Sequence, residues 1–409
     1  MENSLNDPEI LKIAEKTLNN YKLCNNCLGR IFAKKETGIN NKIRGELIRN
    51  NLKNVNEIKI DDCWLCSGIF NEINHFVKII SDLLKDYEYD TFLIGSKVDD
   101  DILEKEKILF EFTGDEFLES IKTELNREIG KKLEKKQKKE VDFKNPTIMV
   151  IIDTSFDEIN LQILPLFIYG RYKKFKRGIS QTIWFCKICK GKGCKKCNYT
   201  GKLYKESVEE LISKKFLEET KGDSESFHGS GREDIDVRML GNGRPFILEL
   251  KNPKIRNINL LKIKQEINDK RNGIIEINDL RFSDRNEITR IKNSRFNKTY
   301  RIKFKGKKSI NKEKLKKAAQ SLRGKKIGQF TPCRVAHRRA NMIREKHIYE
   351  CSVESINKAT ATLIINAESG TYIKELITGD KGRTKPSISE LIGIPCEVKE
   401  LDVIEVKGE

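Results

Sequence analysis

Apolar residues at Ile10, Leu11, Ile13, Ala14 and Leu18 recur at helical spacing and predict an amphipathic helix over 9–20. Residues 72–87 repeat that pattern. Short alternating segments follow, TFLIGSKV and ILFEF, and a period of two predicts strands. Residues 115–140 predict a long polar helix ending in KKLEKKQKKE, a charge run that reads as a solvated face. Pro146 breaks the pattern, and TIMVIID behind it reads as a buried strand. Helix and strand thus alternate over 40–175, as in an α/β unit.

The pattern changes further on. SVEELISKKFLEET predicts a helix, with Ser207 and Glu210 spaced as a capping box. From about residue 225 the segments RPFILEL, NGIIEIND, KTYRIKFKG, HIYECSVES and ATLIINAE predict strands, with helices at 257–270, 311–322 and 387–392. The expected fold class is α+β, a mixed, largely antiparallel sheet with flanking helices preceded by the α/β unit. The expected boundaries are an N-terminal domain over 1–180, a cysteine-rich linker over 181–204 and a second domain over 205–409.

Eight of the eleven cysteines form four Cys-x-x-Cys pairs: Cys24/Cys27, Cys63/Cys66, Cys186/Cys189 and Cys194/Cys197. The first twenty residues are polar and suggest no secretory signal, so metal binding is a better reading than disulfides. Two residues between thiols let both sulfurs face one ion, and two such knuckles complete a tetrahedral thiolate site. CKICKGKGCKKC holds four cysteines in twelve residues, with Gly191 and Gly193 permitting the bend. All-thiolate sites leave no open position, so one or two structural zinc ions are expected and no catalytic metal.

The chain carries 80 Lys+Arg against 61 Asp+Glu, a net charge of +19, which fits a polyanionic partner. No apolar run approaches the roughly 20 residues needed to cross a bilayer. In GRYKKFKRG, Arg171, Lys173, Lys174, Lys176 and Arg177 surround Tyr172 and Phe175. That mixture suits phosphates and bases, and equally a strand edge guarded by lysines. Over 323–346, eight basic residues, Arg334, Arg338 and Arg339 among them, face the single acid Glu345, as in a loop that grips an RNA backbone. FHGSGREDIDVRMLGNGRPF sets glycines 229, 231, 241 and 243 around Glu233, Asp234 and Asp236. Glycines let backbone approach a ligand, but this logic alone does not say which acid reacts.

The stretches CNNCLGRIFA, KLYKESVEELI, GREDIDVRMLGNGRPF, TPCRVAHRRA and GTYIKELITGDKGRTKPSISELIG, in that order, resemble a family of tRNA pseudouridine synthases of archaea and eukaryotes. That family modifies the T-loop and has an N-terminal THUMP-containing domain. The resemblance implies that 1–180 is an RNA-binding accessory domain and 205–409 the catalytic domain. It implies isomerisation of uridine at tRNA position 54 and/or 55, without an organic cofactor. By motif, Gly231-Arg232-Glu233-Asp234 makes Asp234 the catalytic aspartate, with Arg232 beside it in the substrate site. Tyr300 in NKTYRIKF stacks on the target base, GTYIK on a later strand brings Tyr372 and Lys374 to the uridine, and Leu401 closes the pocket. Lys374 stands where sister families carry Arg, exchanging a bidentate fork for a point charge. A monomeric, cytoplasmic, membrane-free enzyme acting on tRNA is expected.

Extruding a nucleotide costs a few kcal/mol, part of which base–aromatic stacking of roughly 1–3 kcal/mol offsets. The carboxylate must be ionised, and a neighbouring cation favours that state. Two other readings stand beside this one. Asp236 with Glu249 and Lys251 in ILELK resembles the Asp…Glu-x-Lys pattern of metal-dependent nucleases, and the cysteines also fit a non-catalytic zinc-containing RNA-binding protein.

Overall fold

A computed structural model of the chain describes all residues except 1–3, 37, 54, 115, 337, 338 and 409. The chain divides into two units, Met1–Leu164 and Pro165–Glu409.

The first unit runs α1 (Pro8–Asn20), α2 (Asn25–Ile31), α3 (Asn41–Asn50), α4 (Ile73–Leu83), β1 (Thr91–Lys97), α5 (Asp100–Thr113), α6 (Ile121–Gln137), β2 (Glu140–Val141), β3 (Ile148–Asp153) and β4 (Glu158–Ile163). Its described strands form a sheet in the order β2-β1-β3-β4, parallel except for the β3–β4 pair. Helix α6 presents Ile121, Leu125, Ile129 and Leu133, one row at i, i+4, to the core that includes Phe92, Ile94, Ile148 and Val150. ILFEF lies in helix α5, not in a strand. Asp99 caps that helix by accepting from the Asp101 amide at 2.9 Å, and Ile102, Glu106 and Leu109 set its buried stripe. The local alternation is overridden by this longer helical period. A Cβ on Gly29 would lie 1.8 Å from the Asn41 carbonyl oxygen, and one on Gly45 2.0 Å from that of Asn25. Helices α2 and α3 therefore cross backbone to backbone.

The second unit runs β5 (Leu166–Lys174), α7 (Val208–Thr220), β6 (Ser224–Gly229), β7 (Arg238–Lys251), α8 (Leu260–Lys270), β8 (Ile275–Ser283), α9 (Arg285–Asn293), β9 (Lys298–Gly306), α10 (Lys312–Leu322), β10 (Lys325–Phe330), β11 (Ile343–Asn357), β12 (Thr360–Ala367), α11 (Ile373–Thr378), β13 (Thr384–Lys385), α12 (Ile388–Ile392) and β14 (Cys396–Val406). Its described strands form one sheet in the order β13-β10-β11-β12-β9-β14-β7-β5-β8, with β6 also on β7. The pairs are antiparallel except β14–β7. The expected helix caps hold: the Ser207 hydroxyl accepts from the Glu210 amide at 3.2 Å.

Strand β5 corrects the boundary expected near residue 180. It pairs with β7 on one side and β8 on the other, so the division falls at Leu164/Pro165. Ile168 and Tyr172 join the main core while Phe167 and Tyr169 pack on the opposite face. With both edges of β5 paired, its GRYKK portion is not an exposed strand edge, and Lys176 beyond the strand is exposed.

Candidate active site and metal centres

The acidic turn lies between β6 and β7. The Val237 amide donates to the Asp234 carbonyl at 3.0 Å, and the Gly178 amide to that of Ile235 at 2.9 Å. Beneath it is a buried network. Arg244 Nε stands 2.9 Å and Lys174 Nζ 3.7 Å from the Glu233 carboxylate, and the Tyr172 hydroxyl donates to it at 2.8–2.9 Å. Arg244 also donates to the Ser230 carbonyl at 2.7 Å, and Gln181 Nε2 donates to that of Gly231 at 3.0 Å. Gly231 has φ +76°, a left-handed conformation that an L side chain resists. The GNG run has a related cause: Gly241 approaches Ile404 so closely that a Cβ would sit 1.8 Å from its carbonyl oxygen.

These supports aim Asp234 outward. Its Oδ2 lies 2.8 Å from Arg334 Nη1 and 3.2 Å from Lys374 Nζ. Lys374 also holds both oxygens of Asp236 at 2.8 Å, and Arg334 donates from Nε to the buried Glu375 at 2.6 Å. Burial pushes the Asp234 carboxyl up, but Arg334 and then Lys374 outweigh it and hold the group below its usual range. Lys374 lies on the short helix α11, not on a strand as expected. Ile373, Leu376 and Ile377 form its buried face, and Gly379 ends it at φ +76°. Tyr372 caps α11 and is pinned twice by Gln329, which accepts from its amide at 2.8 Å and donates to its carbonyl at 2.9 Å.

Tyr300 sits on β9 opposite Ile365 and Val403, and Leu401 on β14 opposite Ile302. Both are buried, Tyr300 at 8% exposure, and burial pushes its phenol up to about 12, so it stays protonated. Arg177 donates to the carbonyls of Asp236 at 2.7 Å and Leu401 at 2.8 Å, tying the acidic turn to β14. Arg232 lies over the Trp184 ring, 4.8 Å from its centroid.

Several sequence expectations change here. Arg171 donates to the carbonyls of Asn242 and Gly243, and Lys174 to that of Ile179. Both are buried, so neither is a phosphate ligand, and Lys173 is paired with Glu276 at 3.0 Å. Arg334 is paired with Asp234 of the acidic turn, Arg339 is exposed, and Arg338 lies outside the described residues. The nuclease grouping does not assemble. Glu249 pairs with Phe167 and Met239 with Lys174, seven residues apart along β5, which is roughly 23 Å. Glu249 Oε2 lies 2.8 Å from His228 Nε2 instead. Sequence reasoning missed Glu375 and Gln329, and read Arg177 only as one of a basic cluster. Only Gln329 left a signal, as a polar residue on the inward period of IGQF.

The cysteines gather as two clusters, Cys24, Cys27, Cys63 and Cys66, and Cys186, Cys189, Cys194 and Cys197, each with its sulfurs within 4.8 Å of one another. Neighbouring sulfurs stand 3.8 Å apart in the first and 3.7–3.9 Å in the second. A tetrahedron with metal–sulfur bonds of about 2.3 Å has edges of about 3.8 Å, so both sets fit zinc. Arg30 donates to Cys27 Sγ at 3.0 Å, and the amides of Gly193 and Gly201 donate to Cys189 and Cys197 at 3.2 and 3.3 Å. Such bonds favour the thiolate form that a metal needs.

An outward-facing carboxylate between two cations on an antiparallel-rich sheet, following a separate α/β unit, fits a pseudouridine synthase with an accessory domain, and the comparisons show that class. The family model for the Pus10 C-terminal region matches residues 167–407, and that for the archaeal Pus10 THUMP domain matches 76–153. A tRNA pseudouridine synthase Pus10 from Methanocaldococcus jannaschii is 43% identical, covering 95% of this chain and 93% of the relative. Those from Methanothermobacter marburgensis and Methanothrix thermoacetophila are 41% and 36% identical, covering 94% and 98% of this chain and 95% of each relative. A chain in a solved Cbf5–Nop10–Gar1 complex matches at 15% identity and a TM-score of 0.30, covering 49% of this chain and 45% of that one, a likeness too slight to carry weight. The chain belongs to the Pus10 family.

Proposed function

We propose that this protein isomerises uridine to pseudouridine at position 54 and/or 55 in the T-loop of tRNA, with Asp234 as the catalytic carboxylate. The observation that carries the reading is the placement of Asp234 between Arg334 and Lys374, at 2.8 and 3.2 Å. The reaction breaks an N-glycosidic bond, turns the base and rejoins it through carbon. It needs an ionised carboxylate at the sugar and an aromatic surface for the extruded base. Asp234 supplies the first, Tyr300 and Tyr372 the second, and Leu401 and Arg232 line the site. Arg339, exposed between β10 and β11 in the chain, contacts phosphate, and the first unit serves as the accessory RNA-binding domain. Both cysteine clusters hold structural zinc, and the chemistry uses no organic cofactor. We read the protein as a monomer acting on tRNA in the cytoplasm; among the described residues no helix is long and apolar enough to cross a membrane.

The test incubates the chain with unmodified tRNA and maps pseudouridine by mass spectrometry. Wild type forms it in the T-loop, and Asp234→Asn forms none while still binding tRNA. Unmodified RNA returned by folded wild-type protein refutes the reading.

A further inference from the structure

The segment around the second cysteine cluster has a surface that the chemistry above does not use. Seven lysines and no acid lie between residues 185 and 205. Lys202 is paired with Glu210. Lys187, Lys190, Lys192, Lys195, Lys196 and Lys205 are exposed, and among the described residues none has an ion-pair partner.

Apolar groups stand among these charges. Phe185 is 60%, Ile188 61% and Tyr199 69% exposed. The Phe185 ring lies on the backbone of Gly191, where a Cβ would come within 3.0 Å of it, so one ring face is covered by backbone. Gly191, at φ +100°, permits that contact. Tyr199 is held at φ +60°, a conformation few non-glycine residues adopt, and its amide donates to the Cys194 carbonyl at 2.9 Å. The cysteine cluster fixes the short loops that carry both rings. A solvated protein face disperses such residues, whereas a surface of unpaired cations with fixed, exposed rings matches a backbone of phosphates with unstacked bases.

The segment is also tied to the acidic turn. Trp184, next to Phe185, packs on Arg232 at 4.8 Å and on Tyr204 at 5.6 Å. The Leu203 amide donates to the Trp184 carbonyl at 2.8 Å, closing the base of the knuckle. Gln181 reaches the carbonyl of Gly231. RNA bound here is therefore bound beside the turn that carries Asp234.

From these observations we propose that the 185–205 knuckle is an RNA-docking surface, its lysines on phosphates and Phe185 and Tyr199 on unpaired bases of the tRNA outside the nucleotide being modified. The proposal rests on tRNA being the substrate. A protein partner would be expected to bring acids to the lysines, and it is the competing outcome.

The test measures binding to a tRNA transcript whose T-loop uridines are cytidines, so that no turnover intervenes. Lys190, Lys192 and Lys196 are changed together to Ala, and Phe185→Ala with Tyr199→Ala forms a second variant. Zinc per chain is measured for each to confirm that the knuckle is intact. The lysine variant should reduce the slope of log affinity against log salt by about 2–3, since each lost phosphate contact removes about 0.7–0.9. The aromatic variant should keep the wild-type slope and lose about thirtyfold or more in affinity, since each of the two stacked bases is worth at least about fivefold. Wild-type affinity and slope in a zinc-replete lysine variant overturn the proposal, as does retention of RNA binding with loss of a protein partner. Absence of pseudouridine from wild-type reactions, with the lysine effect on binding intact, would overturn the enzymatic reading and leave the docking surface standing.

Discussion

Glu233→Gln isolates what the buried network beneath the acidic turn contributes. The amide keeps the shape of the side chain and removes its charge. Arg244 and Lys174, with side chains 2% and 0% exposed, then lose their carboxylate. Removing one partner of a buried ion pair costs about 3–5 kcal/mol. Lys174 limits the cost by releasing its proton, because burial already pushes that amine down against the pull of Glu233. For a lysine folded neutral, the cost is about 1.4 kcal/mol per pH unit below about 10.4, hence about 4.6 kcal/mol at pH 7 and about 1.9 at pH 9. The sign follows: the folded pKa lies below the unfolded one, so the unfolded chain binds more protons and stability rises with pH between the two. At about 2–4 °C per kcal/mol, the loss at pH 7 corresponds to a melting point lower by about 9–18 °C. Urea unfolding at pH 7 and pH 9, read by Trp184 fluorescence in a Trp64→Phe background, measures this. The variant should recover about 2–3 kcal/mol between the two pH values, more than the wild type gains. A variant matching wild type at pH 7, or equally destabilised at both, would refute the reasoning.

Arg334→Gln removes the nearer of the two cations at Asp234, so burial pushes the carboxyl up and the acid limb of turnover moves to higher pH. Wild type should keep Asp234 ionised to a pH below the usual carboxylate range, and rate–pH profiles of the two proteins with unmodified tRNA compare the limbs. Gly45→Ala drives a methyl into the Asn25 carbonyl, and helices α2 and α3 must separate; proteolysis of the first unit should accelerate while the Pro165–Glu409 unit stays protected. Cys63→Ser should lower zinc from two ions per chain to one by elemental analysis, with loss of cooperative unfolding in the first unit.

The legible parts of this molecule were those governed by a long pattern. The helices at 9–20, 257–270 and 311–322 and the strand around Tyr300 carry apolar periods that tertiary packing did not oppose. The ILFEF segment failed because five alternating residues were outweighed by the capped helix that contains them. The basic segment 171–177 failed for another reason: composition reports charge, and only pairing on both edges of β5 reveals that Arg171 and Lys174 point into carbonyls. Asp234 was legible through resemblance, and its partner Lys374 with it, but Arg334 lies 100 positions away in sequence and its contact to Asp234 follows from how β10 and α11 converge.

The distribution of charge around the turn explains why two sets of cations are present. Arg334 and Lys374 touch Asp234 directly, but Arg334 is 38% exposed and Lys374 is shared with Asp236. Exposed charges are screened by salt, and an arriving phosphate competes for the guanidinium. Burial alone would then raise the Asp234 carboxyl. Lys174 and Arg244 are out of reach of solvent and of RNA, and together they exceed the single charge of Glu233. Lys174 Nζ also approaches the Asp234 carbonyl at 3.5 Å, which places this surplus immediately behind the turn. On the proposed reading of Asp234 as the catalytic carboxylate, this interior positive charge remains when the exposed partners are drawn away and adds to what favours the ionised form.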